Sequence, residues 1–229
     1  MGDARSDSKE WKTYDDLAHG AASDRLPPSD EFVGLTLMIA SPGAPRLQLS
    51  FIAPDQVCWK CDGASGAEWC EAIEVAPDVF FIDLTFMELP RETVTVIVDL
   101  SSRRTLRIRS IVAEEDVPGG PYVTQTFYPG VLEGGSAKGD VPAATRDLTG
   151  LYGDDDLTTT YKFAEDQYLT TFREAKVALA SVLFLNLQDM RSTGKVLGVT
   201  ADGRVTNRPA GGLLTRNPMT TDPAEASPA

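Results

Sequence analysis

The sequence is poor in the residues on which most metal and nucleophilic sites are built. It has one histidine, His19, and three cysteines among 229 residues. A serine or cysteine triad would have to use His19 as its base, and three cysteines do not form a disulfide framework. The chain also lacks a run of about 18 apolar residues and a charged-then-apolar leader after Met1, so neither a membrane span nor a signal peptide is predicted. We expect a cytoplasmic location.

Basic residues are scarce relative to acidic ones. The chain has 21 Lys and Arg against 34 Asp and Glu, for a formal net charge of -13. This charge repels phosphate backbones and anionic membranes, so neither nucleic acid nor a membrane is expected as a partner. Hydrophobic residues make up 42% of the chain, which is enough for a globular core without disulfides.

The motif CWKC places Cys58 and Cys61 close together in the sequence. Residues three apart in a β-strand point to opposite faces, so these two thiols do not converge on one ion without a turn between them. Zinc sites need three or four protein ligands, and only Cys70 and His19 remain. The sequence therefore predicts strand cysteines, with no metal site and no cofactor.

Periodicity divides the chain into five segments. The spacing of Trp11, Tyr14 and Leu17 predicts a short amphipathic helix. Short apolar runs then alternate with turn residues, in segments such as FVGLTLMIA and ETVTVIVDL, as is typical of antiparallel strands joined by hairpins. The predicted segments are an N-terminal helical segment (1–30), a first barrel half (31–132), a linker (133–146), a shortened second half (147–214) and a disordered tail (215–229).

Residues 78–108 and 167–198 resemble each other. Each segment begins with an aromatic-rich run, reaches an aromatic-x-Glu step and then enters a β-branched or leucine-rich strand. Those strands end in matched polar residues, Asp99 and Asn186. Because Glu is poorly suited to a strand interior, its presence at the same point suggests that the aromatic-x-Glu step was retained in both copies. We predict an all-β fold, an antiparallel β-barrel built from two related halves, since a closed barrel leaves no sheet edges.

The second half resembles the C-terminal part of the MoaF family, named for molybdenum cofactor biosynthesis protein F. The resemblance lies in TYKFAEDQYLTTFRE and, most specifically, in MRSTGKVLG and GRVTNRPAGG. The first half is similar to the family's N-terminal part in EWKTYDDLAHG, FVGLTL, VAPDVFFIDL and VTVIVDL. This resemblance covers most of the chain apart from the tail and implies a calycin-like or lipocalin-like barrel. The family name comes from genetic context and defines no reaction.

The two halves differ in length. Gly34 to Phe80 covers about 46 positions, whereas the corresponding stretch from Gly150 to Tyr168 covers about 18, so two or three strands are missing from the second half. Either the barrel is open on that side, or another chain covers it, or the sequence derives from a truncated gene. An open edge favours a homodimer or an accessible cavity.

The aromatic-x-Glu steps are the candidate catalytic sites. Parity places Glu88 on one strand face with Phe86, and Glu174 with Phe172 and Tyr168. A carboxyl in an apolar pocket has a raised pKa and can act as a general acid or base near neutral pH. We therefore predict that Glu88 and Glu174 are catalytic. The alternative is that both are exposed at a rim, because parity alone does not separate the lumen of a barrel from its outer face.

The same step is faintly similar to that of phenolic acid decarboxylases, barrels that use a Glu with tyrosines and an Arg. By that resemblance Tyr161, Tyr168 or Arg173 would orient an aromatic substrate. Aromatic residues of a barrel either fill its core or line a ligand cavity. The predicted substrate-binding residues are Trp59, Trp69, Phe86, Tyr161, Tyr168, Phe172 and Arg173.

Three other motifs predict no site. RRTLRIR, residues 103–109, alternates cations with Leu106 and Ile108, which we interpret as a strand with one solvated face rather than an anion site. STGKV does not complete a phosphate loop, and GDDD does not complete a calcium loop.

Two classes of function agree with these patterns. One is a cofactor-independent lyase, isomerase or cyclase that acts on an aromatic or polyketide-like metabolite through cavity shape and a Glu acid-base. The other is a non-catalytic binding or accessory protein of molybdenum cofactor or amine metabolism, as the family name suggests. Both require a small-molecule ligand.

Overall fold

The structure is a computed structural model that describes residues 14, 22, 24–114, 122–148, 157–174 and 177–215. The predicted N-terminal helix lies outside the described residues except for Tyr14, which is helical and buried. The predicted disordered tail also lies outside them, except for Thr215. Within the described ranges, no helix is long and apolar enough to cross a membrane.

The first eight strands form a closed antiparallel barrel. They are β1 (Thr36–Ala40), β2 (Leu47–Ala53), β3 (Gln56–Cys61), β4 (Ala64–Ala76), β5 (Val79–Thr85), β6 (Glu92–Asp99), β7 (Arg104–Val112) and β8 (Val123–Leu132). Each strand pairs with the next, and β8 closes the barrel on β1 where Ile39 lies opposite Leu132. A glycine is needed beside this seam, because a Cβ on Gly130 would clash with the carbonyl oxygen of Ala40.

Local sequence explains the strands and their turns. β6, ETVTVIVD, is rich in the β-branched residues that favour strands. Between β3 and β4, Asp62 and Gly63 both have positive φ, 50° and 79°, as a two-residue type I′ hairpin turn requires.

One end of the barrel is closed by phenylalanines. The ring of Phe32, in the segment before β1, lies 5.1 Å from that of Phe51 and 4.7 Å from that of Phe80, measured between centroids. The backbone N–H of Ser29 donates to the carbonyl of Ala72 at 2.7 Å and holds this segment across the barrel end. Access to the interior is therefore from the opposite end.

The remaining strands form an open six-stranded sheet with the order β14-β13-β12-β11-β10-β9. They are β9 (Ala143–Thr145), β10 (Thr158–Ala164), β11 (Gln167–Arg173), β12 (Leu179–Asn186), β13 (Arg191–Val199) and β14 (Val205–Leu213). β9 lies inside the stretch predicted as a linker. The predicted homodimer through an open edge stays a prediction.

The sheet packs on the outer face of the barrel. Phe81, Ile97 and Leu106 of the barrel form one apolar cluster with Leu169 and Phe184 of the sheet, and all five are buried. As a result β5 and β6 are covered on both faces, which explains why VFFID and TVTVIV are almost continuously buried.

The predicted antiparallel all-β barrel is confirmed, but its two halves do not share one barrel. The first half supplies eight strands, a number that is enough to close a barrel around packed side chains, and it closes alone. The second half has five described strands, β10 to β14, and together with β9 they form an open sheet beside the barrel. The predicted shortage of two or three strands stays a prediction.

The internal repeat is visible in the structure. β5, β6 and β7 contain 7, 8 and 9 residues, and β11, β12 and β13 have the same lengths. Asp78 before β5 and Asp166 before β11 both have positive φ, 63° and 58°. The matched polar residues also have equivalent roles. Oδ1 of Asp99 accepts from the N–H of Ser102 at 3.0 Å, and Oδ1 of Asn186 accepts from that of Asp189 at 3.2 Å.

Candidate functional site

A cavity of about 280 Å³ opens at the end of the barrel opposite the phenylalanines. This volume is close to the lower limit for small-molecule sites, about 300 Å³. The apolar and aromatic part of its wall consists of Pro45, Leu47, Trp59, Leu84, Phe86, Leu89 and Val94. The polar part consists of Cys61, Asp62, Glu92, Arg107, Arg109 and Tyr128.

β7 supplies the cations of the cavity. Leu106 and Ile108 point outward and are fully buried against the second sheet, so Arg107 and Arg109 point into the barrel. The interpretation of RRTLRIR as a strand with one solvated face therefore holds for Arg109, whose side chain is 46% exposed, but not for Arg107, which is buried. Its apolar residues face a second layer of structure, which leaves the polar face to line the lumen.

Glu92 and Arg109 form a bidentate ion pair at the entrance. Nε and Nη2 of Arg109 donate to Oε1 and Oε2 of Glu92, both at 2.6 Å. Hydrogen bonding to Glu92 raises the pKa of Arg109. The pair is electrically neutral, and this fork geometry is among the strongest that a guanidinium forms.

Arg107 lies deeper and is only 6% exposed. Its Cζ is 4.4 Å from the ring centroid of Tyr128, the residue directly opposite it on β8. Its Nη1 donates to Sγ of Cys61 at 3.7 Å, and its Nε is buried without a hydrogen-bond partner. Among the described residues, no carboxylate forms an ion pair with Arg107.

Trp59 and Phe86 form the aromatic side of the cavity. Their ring centroids are 5.4 Å apart and the rings are nearly perpendicular, at 84°. Trp59 lies opposite Gly66 on β4, where a Cβ would come within 2.9 Å of the indole Nε1. That nitrogen is buried and has no partner in the described part of the chain. Each of the two rings has a flat face against which a planar ligand ring can pack.

Of the predicted site residues, Trp59 and Phe86 line the cavity and Glu88 does not. β5 ends at Thr85, so strand alternation does not extend to Glu88, which lies exposed in the following turn. The prediction that Glu88 shares a strand face with Phe86 is corrected on this point. Its catalytic role stays a prediction.

The predicted residues of the second half lie in the separate sheet, outside the barrel. Tyr161 packs against Phe127 at 5.3 Å between sheet and barrel, whereas Tyr168 lies on the other face beside Leu185. Phe172 and Arg173 are partly buried at the end of β11, and Glu174 follows that strand. The structure therefore does not bring Glu174 to the cavity of Phe86, and the roles predicted for these residues stay predictions.

Trp69 also lies outside the barrel lumen. It is 41% exposed on the outer face of β4, and its ring lies 4.9 Å from Nζ of Lys195. Lys195 is 3% exposed and belongs to a charged cluster between barrel and sheet. Its Nζ lies 3.2 Å from Oε2 of Glu71 and 3.5 Å from Oδ2 of Asp83, and Arg25 pairs with Glu71 from the other side.

Asp83 is the most buried member of this cluster, with 0% exposure. Thr95 donates to its Oδ1 at 3.0 Å, and Asn207 donates to its Oδ2 at 2.7 Å. Burial raises the pKa of Asp83, although the charge of Lys195 acts in the opposite direction. The cluster ties β4, β5 and β6 of the barrel to β13 and β14 of the sheet.

The three cysteines are free thiols in different environments. Cys61 lines the cavity beside Trp59, while Cys58 directly precedes Trp59 in the strand and points to the other face, as strand parity predicted. Burial raises the pKa of Cys70 to about 12, which keeps it a thiol. Within the described ranges, no three His, Cys, Asp or Glu side chains are grouped so that they could hold a metal.

The sequence-based prediction missed Glu92, Arg107, Arg109 and Tyr128. A signal for the arginines is present in the alternation of β7, but it locates them in the lumen only once Leu106 and Ile108 are assigned to a second layer. Tyr128 follows from the register of β8 against β7, which the sequence does not fix.

Comparison with known families gives two adjacent matches. The MoaF N-terminal domain matches residues 9–114, and the MoaF C-terminal domain matches residues 146–218. The first match covers most of the barrel, and the second covers the open sheet except for β9. A comparison with curated proteins gave no match.

Proposed function

Since this chain belongs to the MoaF family, we propose that its barrel binds a small, planar aromatic molecule in the cavity at the open end. One observation carries this proposal. The barrel is filled and closed by phenylalanines at one end, while the other end keeps a cavity of about 280 Å³ with an aromatic wall. Such half-open barrels are suited to a single small ligand.

The arrangement of carboxylates favours binding over acid–base catalysis. Glu92 lines the cavity, but both of its oxygens accept hydrogen bonds from Arg109. Asp62 is exposed on the turn between β3 and β4. A lyase, isomerase or cyclase would therefore need Arg109 to release Glu92 before that carboxyl could exchange a proton with substrate. An accessory role in molybdenum cofactor or amine metabolism would need only the binding step.

Isothermal titration calorimetry with a library of planar aromatic amides of one to three rings tests the proposal. We expect saturable binding of one ligand per chain. Trp59→Leu removes one side of the aromatic wall and should weaken binding about two- to tenfold, as expected for an aromatic contact. Trp69→Leu is the matched control, because this tryptophan lies outside the lumen, and it should change the affinity less than about twofold.

Two results would overturn the proposal. One is that no amide of the library gives saturable binding to the wild-type protein. The other is that Trp69→Leu weakens binding as much as Trp59→Leu, because the ligand would then lie outside the barrel.

A further inference from the structure

Arg107 is a buried cation with almost no partners. A guanidinium has five N–H donors. In the described structure one of them reaches a weak sulfur acceptor, Cys61, and the buried Nε reaches none. Burial of a charge is costly unless the charge is paired and hydrogen-bonded, and the contact with the ring of Tyr128 compensates only in part. The side chain therefore lacks an anion at the position where it lines the cavity.

The neighbouring Arg109 has the carboxylate partner that Arg107 lacks among the described residues. Arg109 is matched by the two oxygens of Glu92, so that pair adds no net charge to the cavity. Asp62, the other lining carboxylate, is exposed at the rim. The charge of Arg107 is therefore the one that stays uncompensated among the enclosed, described side chains of the cavity.

We propose that the ligand of this cavity is an aromatic carboxylate and that Arg107 binds its carboxylate group, an inference that rests on the proposed function. A guanidinium binds a carboxylate through two parallel N–H···O bonds, and stacking on Tyr128 holds the plane of the Arg107 fork. The aromatic part of the ligand lies against Trp59 and Phe86. The carboxylate would accept from the buried Nε of Arg107, which has no acceptor among the described residues.

The charge balance favours a carboxylate over a phosphate. One uncompensated cation balances one negative charge, whereas a phosphate dianion would leave a second charge unpaired inside the barrel. The chain has a net charge of -13, so the surrounding protein offers no general attraction to anions. Selection of the anion depends on Arg107.

Calorimetric titration of matched acid and amide pairs tests this inference. Each amide that binds in the preceding experiment is replaced by the carboxylate of the same skeleton, so that the two ligands differ in charge and hardly in shape. We expect the wild-type protein to bind the carboxylate at least about tenfold more tightly than the amide. In Arg107→Met the amide should still bind, which shows an intact cavity, and the preference for the carboxylate should disappear.

Arg46→Met is the charge control. Arg46 is largely exposed and pairs with Glu133 at 2.8 Å, so its loss removes the same charge from the chain but none from the cavity. This variant should keep the tenfold preference. Equal binding of acid and amide by the wild-type protein would overturn the inference and leave the proposed function standing, whatever the variants do. A preference that survives in Arg107→Met would exclude Arg107 as the anion-binding group. If no amide of the library binds, no pair can be formed and the proposed function itself fails.

Discussion

Two cations are buried in different regions of the described structure, and they differ in what surrounds them. Lys195 is 3% exposed between the barrel and the sheet, with Glu71 and Asp83 within 3.5 Å of its ammonium group. Arg107 is 6% exposed in the barrel cavity and has no carboxylate partner among the described residues. Both are therefore charges that the fold has removed from water, but only one has been compensated by the fold itself.

This difference separates a structural site from a binding site. A buried charge whose partners belong to the chain connects the elements that carry those partners, here the barrel strands β4 and β5 and the sheet strand β13. A buried charge without such partners is stabilised by a ligand that brings the opposite charge. We therefore expect removal of Lys195 to lower folding stability and removal of Arg107 to affect ligand binding.

The largest expected effect is that of Lys195→Met on stability. The substitution leaves Asp83 buried without a cation and leaves Glu71 with Arg25 alone, which should lower the free energy of unfolding by about 3–5 kcal/mol. Urea denaturation measures the change. Lys162→Met is the matched control, because Lys162 also contacts two carboxylates, at 3.1 and 3.3 Å, but its side chain is 35% exposed.

The control should lose less than about 1 kcal/mol, as is usual for exposed ion pairs. Similar losses in the two lysine variants would mean that burial between barrel and sheet does not strengthen the pairing. The interface cluster would then not differ from a surface ion pair.

A smaller effect is expected in the pH dependence of the same cluster. Burial raises the pKa of Asp83 above its ordinary 3.8, so the folded protein holds this proton more tightly than the unfolded chain. The resulting contribution to stability is fully present below pH 3.8 and is lost as pH rises through the folded pKa. The groups that face this carboxyl are Glu71, Thr95, Lys195 and Asn207.

Paired urea denaturations of wild type and Asp83→Asn between about pH 4 and 8 measure this contribution. The wild type should lose stability relative to Asp83→Asn as pH rises. Asp99→Asn should show the opposite trend once the same measurements are extended below pH 3.8. Burial acts to raise the pKa of Asp99, but hydrogen bonds from Ser102 outweigh it and lower that pKa, so the stability of wild type relative to this variant falls as pH decreases. If the stability of wild type relative to Asp83→Asn instead stays constant between about pH 4 and 8, the charge of Lys195 offsets the effect of burial on the pKa of Asp83.

The sequence predicted the fold better than it predicted the arrangement of the halves. Strand alternation and turn residues were sufficient for an antiparallel barrel, and the match of Asp99 with Asn186 identified equivalent turns. The pairing of β8 with β1 could not be predicted from the sequence, because it depends on the long-range contact between Ile39 and Leu132. Nothing local distinguishes eight strands that close on themselves from strands that close with a second copy.

The site residues were predicted only in part, and for different reasons. Trp59 and Phe86 were predicted as ligand-binding from residue type, and both line the cavity. Arg107 on β7 was assigned to solvent wrongly, because a polar strand face normally meets solvent and the covering sheet was not anticipated. Glu88 was misplaced because parity was extended beyond the end of β5 at Thr85. The error on β7 concerns which face points inward, and only tertiary packing decides that. The error on Glu88 concerns where a strand ends.

The smallest expected effect is on the stability of the Arg107 variant, and it tests the difference between the two buried cations most directly. Arg107→Met should change the free energy of unfolding by less than about 1 kcal/mol in the absence of ligand, since an apolar side chain of similar length relieves the burial of a charge while the cation–π contact with Tyr128 is lost. Urea denaturation beside Lys195→Met measures both variants under the same conditions. A loss of several kcal/mol for Arg107→Met would show that the guanidinium supports the barrel itself. A near-zero change means that the fold gains nothing from this buried charge, so that its place in the cavity is explained by the anion it binds.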